Sequence, residues 1–305
     1  MIYTVTLNPS LDYLAFTDGF AAGSMNRASK TSFFAGGKGI NVSSYLKNCG
    51  VPSIALGFLA GFTGEQIRRM LEFSGIDEDM ILLLQGQTRI NVKIKSGDET
   101  ELNGTGPQIT EEDIGRLFEQ TGRLSDGDIL IMSGSIPPSL STDIYAQIMR
   151  RTEGKDIRIA VDAEGQLLLD TLPLRPFLIK PNDDELSRML DIKTGTYADA
   201  LKGAEKLQSL GGRNIIVSMG GKGAVLLTED GEQYICEAAE GTAVNTVGAG
   251  DCLLAGFIAE FENSGDPVRS LEAGVAAGCA CAFSEGIPLK EDALKLIGSL
   301  RAVKV

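Results

Sequence analysis

The chain has 305 residues, of which 43% are hydrophobic, and its formal net charge is −13. That length and apolar content suffice for one large α/β domain or two smaller ones, while the acidic balance argues against general nucleic-acid binding. The sequence contains no histidine, which excludes Ser-His-Asp catalysis and histidine metal sites and leaves carboxylates as the expected acid-base groups.

Targeting and redox signals are also informative. No apolar run in the sequence approaches the roughly 20 residues that span a membrane, and the first residues lack the basic and apolar regions of a signal peptide. The cysteines are odd in number and scattered, which is typical of reduced core thiols. We therefore expect a cytoplasmic protein whose partners are small molecules, not nucleic acids or membranes.

Apolar runs of strand length alternate with segments of helix length. The runs cover residues 2–7, 53–59, 129–133, 157–162, 177–180 and 214–218. This alternation predicts an α/β fold with a mainly parallel, doubly wound sheet flanked by helices.

The first turn and the first glycine-rich loop exclude two nucleotide-binding motifs. Residues 8–12, after the first predicted strand, lack the GxGxxG fingerprint of NAD-dependent oxidoreductases. The loop at residues 35–41 opens a predicted helix that runs to about residue 48, and Gly39 stands where a Walker A loop has Ser or Thr. Its backbone can still approach a polar ligand closely, and Lys38 and Asn41 offer hydrogen-bond donors.

A small β-sheet lid is expected from two segments that carry little helical signal. Residues 12–35 form the first, and residues 89–103 alternate with period two around a turn at Gly97 and Asp98. Arg89 and Lys93 are an even number of steps apart, so both can face one anion such as a phosphate. A solvated charged face on an exposed hairpin would show the same spacing.

Two further segments lie near predicted strand ends. Asn182 and Glu185 have the spacing of a helix capping box. Residues 218–223 are glycine-rich, as in an ordinary hairpin connection, and precede a predicted hairpin at 224–228 and 233–236.

The loop at residues 245–251, Asn-Thr-Val-Gly-Ala-Gly-Asp, leads into a strongly apolar helical pattern. Glycines ahead of a helix let backbone N–H groups converge, where they and the helix dipole stabilise negative charge. Asp251, beside that point, can take a proton from a hydroxyl that attacks a phosphoryl group. Alternatively, Asp251 only favours the helix N-terminus and the glycines only make a turn.

The motif AGGKGIN at 35–41, followed about 200 residues later by NTVGAGD at 245–251, resembles the two signatures of PfkB-type carbohydrate kinases, in the ribokinase-like superfamily. The resemblance extends through residues 6–12, 133–138 and 180–185. It implies a single ribokinase-like kinase domain over residues 1–305, with lid segments inserted at about 12–35 and 88–104.

The resemblance also implies roles for individual residues. Asp251 would be the catalytic base, with Gly248, Ala249 and Gly250 as an anion hole. The substrate-binding residues would be Asp12, Arg27, Gly37, Lys38, Asn41, Arg89, Asn91, Lys93, Asn103 and Ser135. The nucleotide-binding residues would be Lys180, Asn182, Ser218, Gly220, Gly223, Thr246, Gly248 and Gly250. Glu185 would act on magnesium through water, and the implied cofactors are ATP and Mg²⁺.

Residues 88–95 and 99–104 resemble the flap of family members that phosphorylate fructose 1-phosphate. The implied reaction converts ATP and fructose 1-phosphate to ADP and fructose 1,6-bisphosphate by in-line phosphoryl transfer. Tagatose 6-phosphate kinase activity is the alternative, since fold and mechanism would be the same, and a non-catalytic nucleotide or sugar-phosphate sensor is a further one. An exposed lid sheet also favours a homodimer that pairs through it.

Overall fold

The computed structural model describes the backbone of residues 1–305 and every side chain except that of Asp98. The strands, in chain order, are β1 (Ile2–Thr6), β2 (Ser10–Phe16), β3 (Lys30–Gly36), β4 (Ser53–Ala60), β5 (Asp77–Glu78), β6 (Ile81–Leu83), β7 (Arg89–Ser96), β8 (Asp98–Asn103), β9 (Ile129–Ser133), β10 (Arg158–Asp162), β11 (Leu178–Ile179), β12 (Asn214–Ser218), β13 (Ala224–Leu227), β14 (Gln233–Cys236) and β15 (Ala302–Lys304). The α-helices are α1 (Lys38–Asn48), α2 (Gly61–Phe73), α3 (Glu111–Gly122), α4 (Ile144–Arg150), α5 (Gly165–Leu169), α6 (Asp183–Leu190), α7 (Tyr197–Ser209), α8 (Ala249–Ser264), α9 (Pro267–Ala282) and α10 (Lys290–Ile297).

The large sheet has the order β5-β4-β1-β9-β10-β11-β12-β13-β14-β15, and β6 also pairs with β4. Its strands are parallel from β5 to β12, whereas β13, β14 and β15 add on in antiparallel fashion. Alternate side chains of one strand belong to different cores, as Leu130 and Ile131 do, because helices cover both faces. The predicted mainly parallel α/β sheet is thereby confirmed.

A separate small sheet has the order β3-β2-β7-β8. Strands β2 and β7 are parallel, with Asp12 opposite Asn91, and β7 and β8 form a hairpin in which Lys93 lies opposite Glu101. Gly97 connects them with a φ of +79°, a conformation that glycine adopts without strain. The expected β segments therefore form one sheet whose polar face carries Asp12, Asn91 and Lys93.

Close packing of α8 against α9 fixes the position of the loop that precedes α8. A Cβ on Gly256 would lie 2.8 Å from the Cβ of Ala277, and one on Gly274 would lie 2.8 Å from the Leu253 carbonyl oxygen. The two helix backbones approach this closely because both contact positions are glycines. Among the described residues, every helix is too short or too polar to cross a membrane.

Candidate active site

A cavity of about 800 Å³ lies where the carboxyl ends of the parallel strands meet the polar face of the small sheet. Open parallel sheets bind ligands at this edge, and the volume suits a pair of small molecules. Most of the residues expected at the site line it. They are Asp12, Gly37, Lys38, Asn41, Arg89, Asn91, Lys93, Ser135, Lys180, Asn182, Glu185, Ser218, Gly220, Gly223, Thr246, Gly248, Ala249, Gly250 and Asp251.

Two expected residues lie elsewhere in the small sheet and its connections. Arg27 is exposed between β2 and β3, where its carbonyl accepts a hydrogen bond from Thr17 Oγ1. Asn103 is exposed at the end of β8, and its side chain donates to Glu101. Neither Arg27 nor Asn103 is among the described residues that line the cavity.

The N-terminus of α8 forms the floor of the cavity. Gly248 adopts a left-handed conformation with φ +83°, and the helix starts at the next residue. The Ala249 amide donates to the Thr246 carbonyl at 3.2 Å, so of the three amides predicted to bind an anion this one is already paired within the loop. A Cβ on Gly250 would lie 3.1 Å from Lys180 Nζ, which means that a lysine ammonium reinforces the positive end of this helix.

Asp251 lies in the first turn of α8 and is only 6% exposed. Asn41 Nδ2 donates to Asp251 Oδ2 at 2.8 Å, which links α8 to the first turn of α1. Burial and then the negative charge of Asp162 raise the pKa of Asp251 to about 6, although Lys38, the Asn41 hydrogen bond and Lys180 act in the opposite direction. A carboxylate with this pKa is ionised at neutral pH and is a better proton acceptor than an ordinary aspartate.

The raised pKa predicts the pH dependence of the reaction. The sequence predicts Asp251 as a catalytic base, a role that requires its ionised form, so kcat/KM should fall on the acid side with an apparent pKa near 6. Initial rates measured from about pH 5 to about pH 8 check this. A profile that stays flat through pH 6 would contradict a role for Asp251 as the base.

On the wall formed by the small sheet, Asp12 is held by two neighbours. Ser10 Oγ donates to Asp12 Oδ1 at 2.5 Å, and Asn91 Nδ2 donates to the same oxygen at 3.1 Å. Lys93 Nζ lies 3.4 Å from the other oxygen, Oδ2, and 3.7 Å from Glu101 Oε1. An oriented carboxylate next to an ammonium can bind a polyol hydroxyl and an adjacent anionic group together.

Arg89, at the start of β7, points toward the base of the small sheet. Its Nε donates to the Asn8 carbonyl at 3.1 Å, and its Nη1 donates to the Gly104 carbonyl at 3.4 Å. Part of the guanidinium therefore joins the chain before β2 to the chain after β8, and Arg89 also lines the cavity.

At the strand ends, Asp162 contacts two of the lysines that line the cavity. Lys38 Nζ donates to Asp162 Oδ1 at 3.0 Å, and Lys180 Nζ lies 3.2 Å from Oδ2. Burial alone would raise the pKa of Asp162, but Lys180 and Lys38 bring it below its ordinary value. Asp162 also raises the pKa of Lys38, so these two groups are both charged at neutral pH.

Asp162 is a site residue that sequence reasoning missed. It closes a predicted strand, where an aspartate also commonly serves as a turn residue. No spacing within the sequence pairs it with Lys38, which is 124 positions away.

Glu185 and Asn182 form the expected capping box of α6. Asn182 Oδ1 accepts from the Glu185 amide at 2.7 Å, and Glu185 Oε2 accepts from the Asn182 amide at 2.9 Å. The other oxygen, Oε1, lies 3.9 Å from Lys38 Nζ, and the residue lines the cavity. Capping thus uses one carboxylate oxygen and leaves the second on the cavity side.

The acidic first turn of α6 fits a magnesium ion that arrives with a nucleotide. Asp183, Asp184 and Glu185 line the cavity, while within the described part of the chain no group of three ligand side chains is arranged to hold a metal by itself. Mg²⁺ commonly keeps several waters and binds one or two carboxylates together with substrate phosphates. The donor set matches that mode.

The far end of the cavity is glycine-rich and apolar. Gly223 has a φ of +98°, and a Cβ there would lie 2.1 Å from the Cys236 carbonyl oxygen, so this turn requires glycine. The apolar residues at this end, which sequence reasoning missed, are Ala238, Ala239, Val275, Cys279 and Phe283. Their helical and apolar patterns do not distinguish a cavity wall from a core position.

Comparison with known proteins places this geometry among sugar kinases. The model of the pfkB family carbohydrate kinases matches residues 6–291. The chain is 41% identical to a 1-phosphofructokinase of Bacillus subtilis over 305 residues, covering 100% of both chains. It is 36% identical to a tagatose-6-phosphate kinase of Staphylococcus epidermidis, covering 84% of each.

Solved structures agree. The crystal structure of a putative phosphofructokinase from Staphylococcus aureus superposes with a TM-score of 0.88 at 40% identity, covering 100% of this chain and 99% of that one. Ribokinase of Arabidopsis thaliana, complexed with ribose and ATP, superposes with a TM-score of 0.80 at 19% identity, covering 97% and 98%. The second match concerns the fold alone and confirms the expected ribokinase-like architecture.

Proposed function

Because this chain belongs to the pfkB family of carbohydrate kinases, we propose that it phosphorylates fructose 1-phosphate on its 6-hydroxyl, giving fructose 1,6-bisphosphate. It is an ATP-dependent phosphotransferase that acts on a sugar phosphate. The observation that carries the proposal is the hydrogen bond between Asn41 and Asp251 beside the start of α8, since it joins a sugar-side donor to a buried base and an anion site.

In this proposal, the residues on each wall of the cavity have a distinct role in binding or catalysis. Asp12 and Asn41 hold hydroxyl groups of the sugar, and Lys93, with Arg89, receives its existing phosphate. Asp251 takes the proton from the attacking hydroxyl, and the amides at Gly248 and Gly250 stabilise the transferring phosphoryl group. The small sheet excludes water that would otherwise hydrolyse the nucleotide.

The nucleotide lies toward Ser218, Gly220, Gly223 and Thr246, with its base toward the apolar end near Phe283. Lys180 supports the phosphates from beside Gly250. Glu185 would hold the magnesium ion through water, and the bound ion would neutralise phosphate charge. Arg27 and Asn103 would reach the sugar phosphate only after a movement of the small sheet, because neither residue lines the cavity.

A substrate panel tests the acceptor. ADP release with MgATP is measured for fructose 1-phosphate, tagatose 6-phosphate, fructose 6-phosphate and fructose. We expect the highest kcat/KM for fructose 1-phosphate, by about tenfold or more, since Lys93 and Asp12 fix the phosphate relative to the sugar. A preference for tagatose 6-phosphate would keep the mechanism and overturn this acceptor, while tight ATP binding without turnover on any sugar would favour a sensor.

The outer face of the small sheet supports a homodimer through the lid. By register, Tyr13, Phe33, Val92, Ile94 and Leu102 share this face, opposite the polar one. Phe33 is 50% exposed and Leu102 is 71% exposed, and a second copy of the same sheet would bury both.

The unpaired cysteines among the described residues support a reducing compartment, and we propose the cytoplasm.

Sedimentation velocity at micromolar concentration tests the pairing. We expect a dimer for the wild type and a monomer for the double variant Phe33→Ser and Leu102→Ser, because the substitutions remove apolar area that pairing would bury. A monomeric wild type would contradict the proposed interface.

A further inference from the structure

Asp162 combines complete burial with two cationic partners. It ends β10 at 0% exposure. Its two oxygens face different lysines, Lys38 at 3.0 Å and Lys180 at 3.2 Å. A fully buried carboxylate destabilises the fold unless cations compensate its charge. Removal of one partner of such a buried ion pair is strongly destabilising, because it leaves an uncompensated buried charge.

The two lysines belong to opposite sides of the cavity. Lys38 starts α1, one turn before Asn41, and also lies 3.9 Å from Glu185. Lys180 follows β11 and lies against Gly250 at the start of α8. Asp162 therefore stands at the junction between the sugar side and the phosphoryl side.

We propose that Asp162 is a positioning residue for phosphoryl transfer, which holds the Lys38 and Lys180 ammonium groups on the two sides of the transfer path. The inference rests on the proposed function. Asp162 itself takes no proton, because both of its oxygens are engaged by cations. Its effect on the reaction passes through the two lysines and through the electrostatic environment of Asp251.

The charges around Asp251 affect the pKa of the acid limb of the rate profile, which a purely structural role of Asp162 would leave unchanged. Asp162 faces it from β10, Lys38 from α1, and Lys180 from the end of β11. On α8 the adjacent titratable group is Cys252, whose thiol stays protonated because its hydrogen bond with Cys281 and burial raise its pKa. Removal of the Asp162 charge alone leaves two cations, so the pKa of Asp251 should fall and the acid limb of the rate profile should move to lower pH.

The experiment compares the wild type with Asp162→Asn, Lys180→Met and the double variant, using MgATP and fructose 1-phosphate or the best acceptor of the panel. For Asp162→Asn we expect kcat to fall by about 100-fold with KM values changed by less than about fivefold, and the acid limb to move to lower pH. The double variant should be no more than about threefold slower than the slower single variant, since both substitutions disrupt one unit.

The outcomes separate the inference from the proposed function. No turnover by the wild type on any acceptor would overturn the proposed function. If the wild type is active, two results would overturn only the role of Asp162. One is an Asp162→Asn variant as active as the wild type. The other is an acid limb that does not move in Asp162→Asn, together with multiplicative losses of kcat in the double variant.

If Asp162→Asn does not fold, variants of the two lysines test the proposal instead. The double variant Lys38→Met and Lys180→Met should then lose less than the product of the single losses, because Asp162 holds the two lysines as one unit. Equality with that product would overturn the proposal.

Discussion

Replacement of Asp251 by asparagine is expected to lower kcat by about 10²- to 10⁴-fold, with the KM for ATP almost unchanged. Asparagine has nearly the same shape and can still accept the hydrogen bond from Asn41, but it cannot take a proton from the sugar hydroxyl. In the proposed binding mode most nucleotide contacts come from elements other than α8, including the turn at Gly220–Lys222, so nucleotide affinity should survive. Steady-state kinetics and ATP titration measure the two quantities.

The variant should also be folded, which separates catalysis from stability. The folded-state pKa of Asp251 is about 6, above its ordinary value of 3.8, so the wild type loses stability as the pH rises between these values. Asparagine avoids that loss. Above pH 6 the free energy of unfolding of the variant should therefore equal that of the wild type or exceed it by at most about 3 kcal/mol, since one pKa unit corresponds to about 1.4 kcal/mol.

Asp230→Asn is the matched control, because Asp230 is an exposed carboxylate in the turn between β13 and β14. It should leave kcat unchanged. A kcat for Asp251→Asn within about tenfold of the wild type would mean that another group removes the proton.

Replacement of Lys93 by methionine should lower kcat/KM for fructose 1-phosphate by about 100-fold, because the proposed charge-assisted contact with the sugar's phosphate would be lost. The Lys93 ammonium lies 3.4 Å from Asp12 and is mostly buried, with a side-chain exposure of 13%. Methionine keeps the apolar stem and removes only the charge. The ratio of kcat/KM values for fructose 1-phosphate and fructose measures the selectivity for the phosphate.

Lys95→Met provides the control on the same strand and the same face of β7. Lys95 lies 3.7 Å from Glu99 and is not among the described residues that line the main cavity. It should keep the selectivity of the wild type. Equal losses in the two variants would indicate a general effect of lid charge instead of a phosphate contact at Lys93.

The sequence predicted the fold well because its signals are local. Apolar runs with buried side chains, such as β9 and β12, and the period-two alternation of β7 appear directly in the order of the residues. The antiparallel hairpin of β13 and β14 was also predicted. The exact pairing of β2 with β7 was not, because it joins segments about 80 positions apart whose register is set by tertiary contacts.

The candidate site divides in the same way. Glycine loops and the Asp251 motif are contiguous and were recognised, whereas Asp162 and Ser10 were not, since their importance lies in contacts to Lys38, Lys180 and Asp12. Arg89 was predicted to face an anion, but how much of its guanidinium would bind the Asn8 and Gly104 carbonyls depends on the folded lid. Burial sets the raised pKa of Asp251, and burial is a property of the fold.

Product analysis by ³¹P NMR, with MgATP and fructose 1-phosphate, tests the central claim most directly. The account predicts that the wild type forms ADP and fructose 1,6-bisphosphate in equal amounts and that Asp251→Asn forms almost none of either. ADP formation without a doubly phosphorylated sugar, or equal product from the variant, would contradict phosphoryl transfer to the sugar with Asp251 as the base.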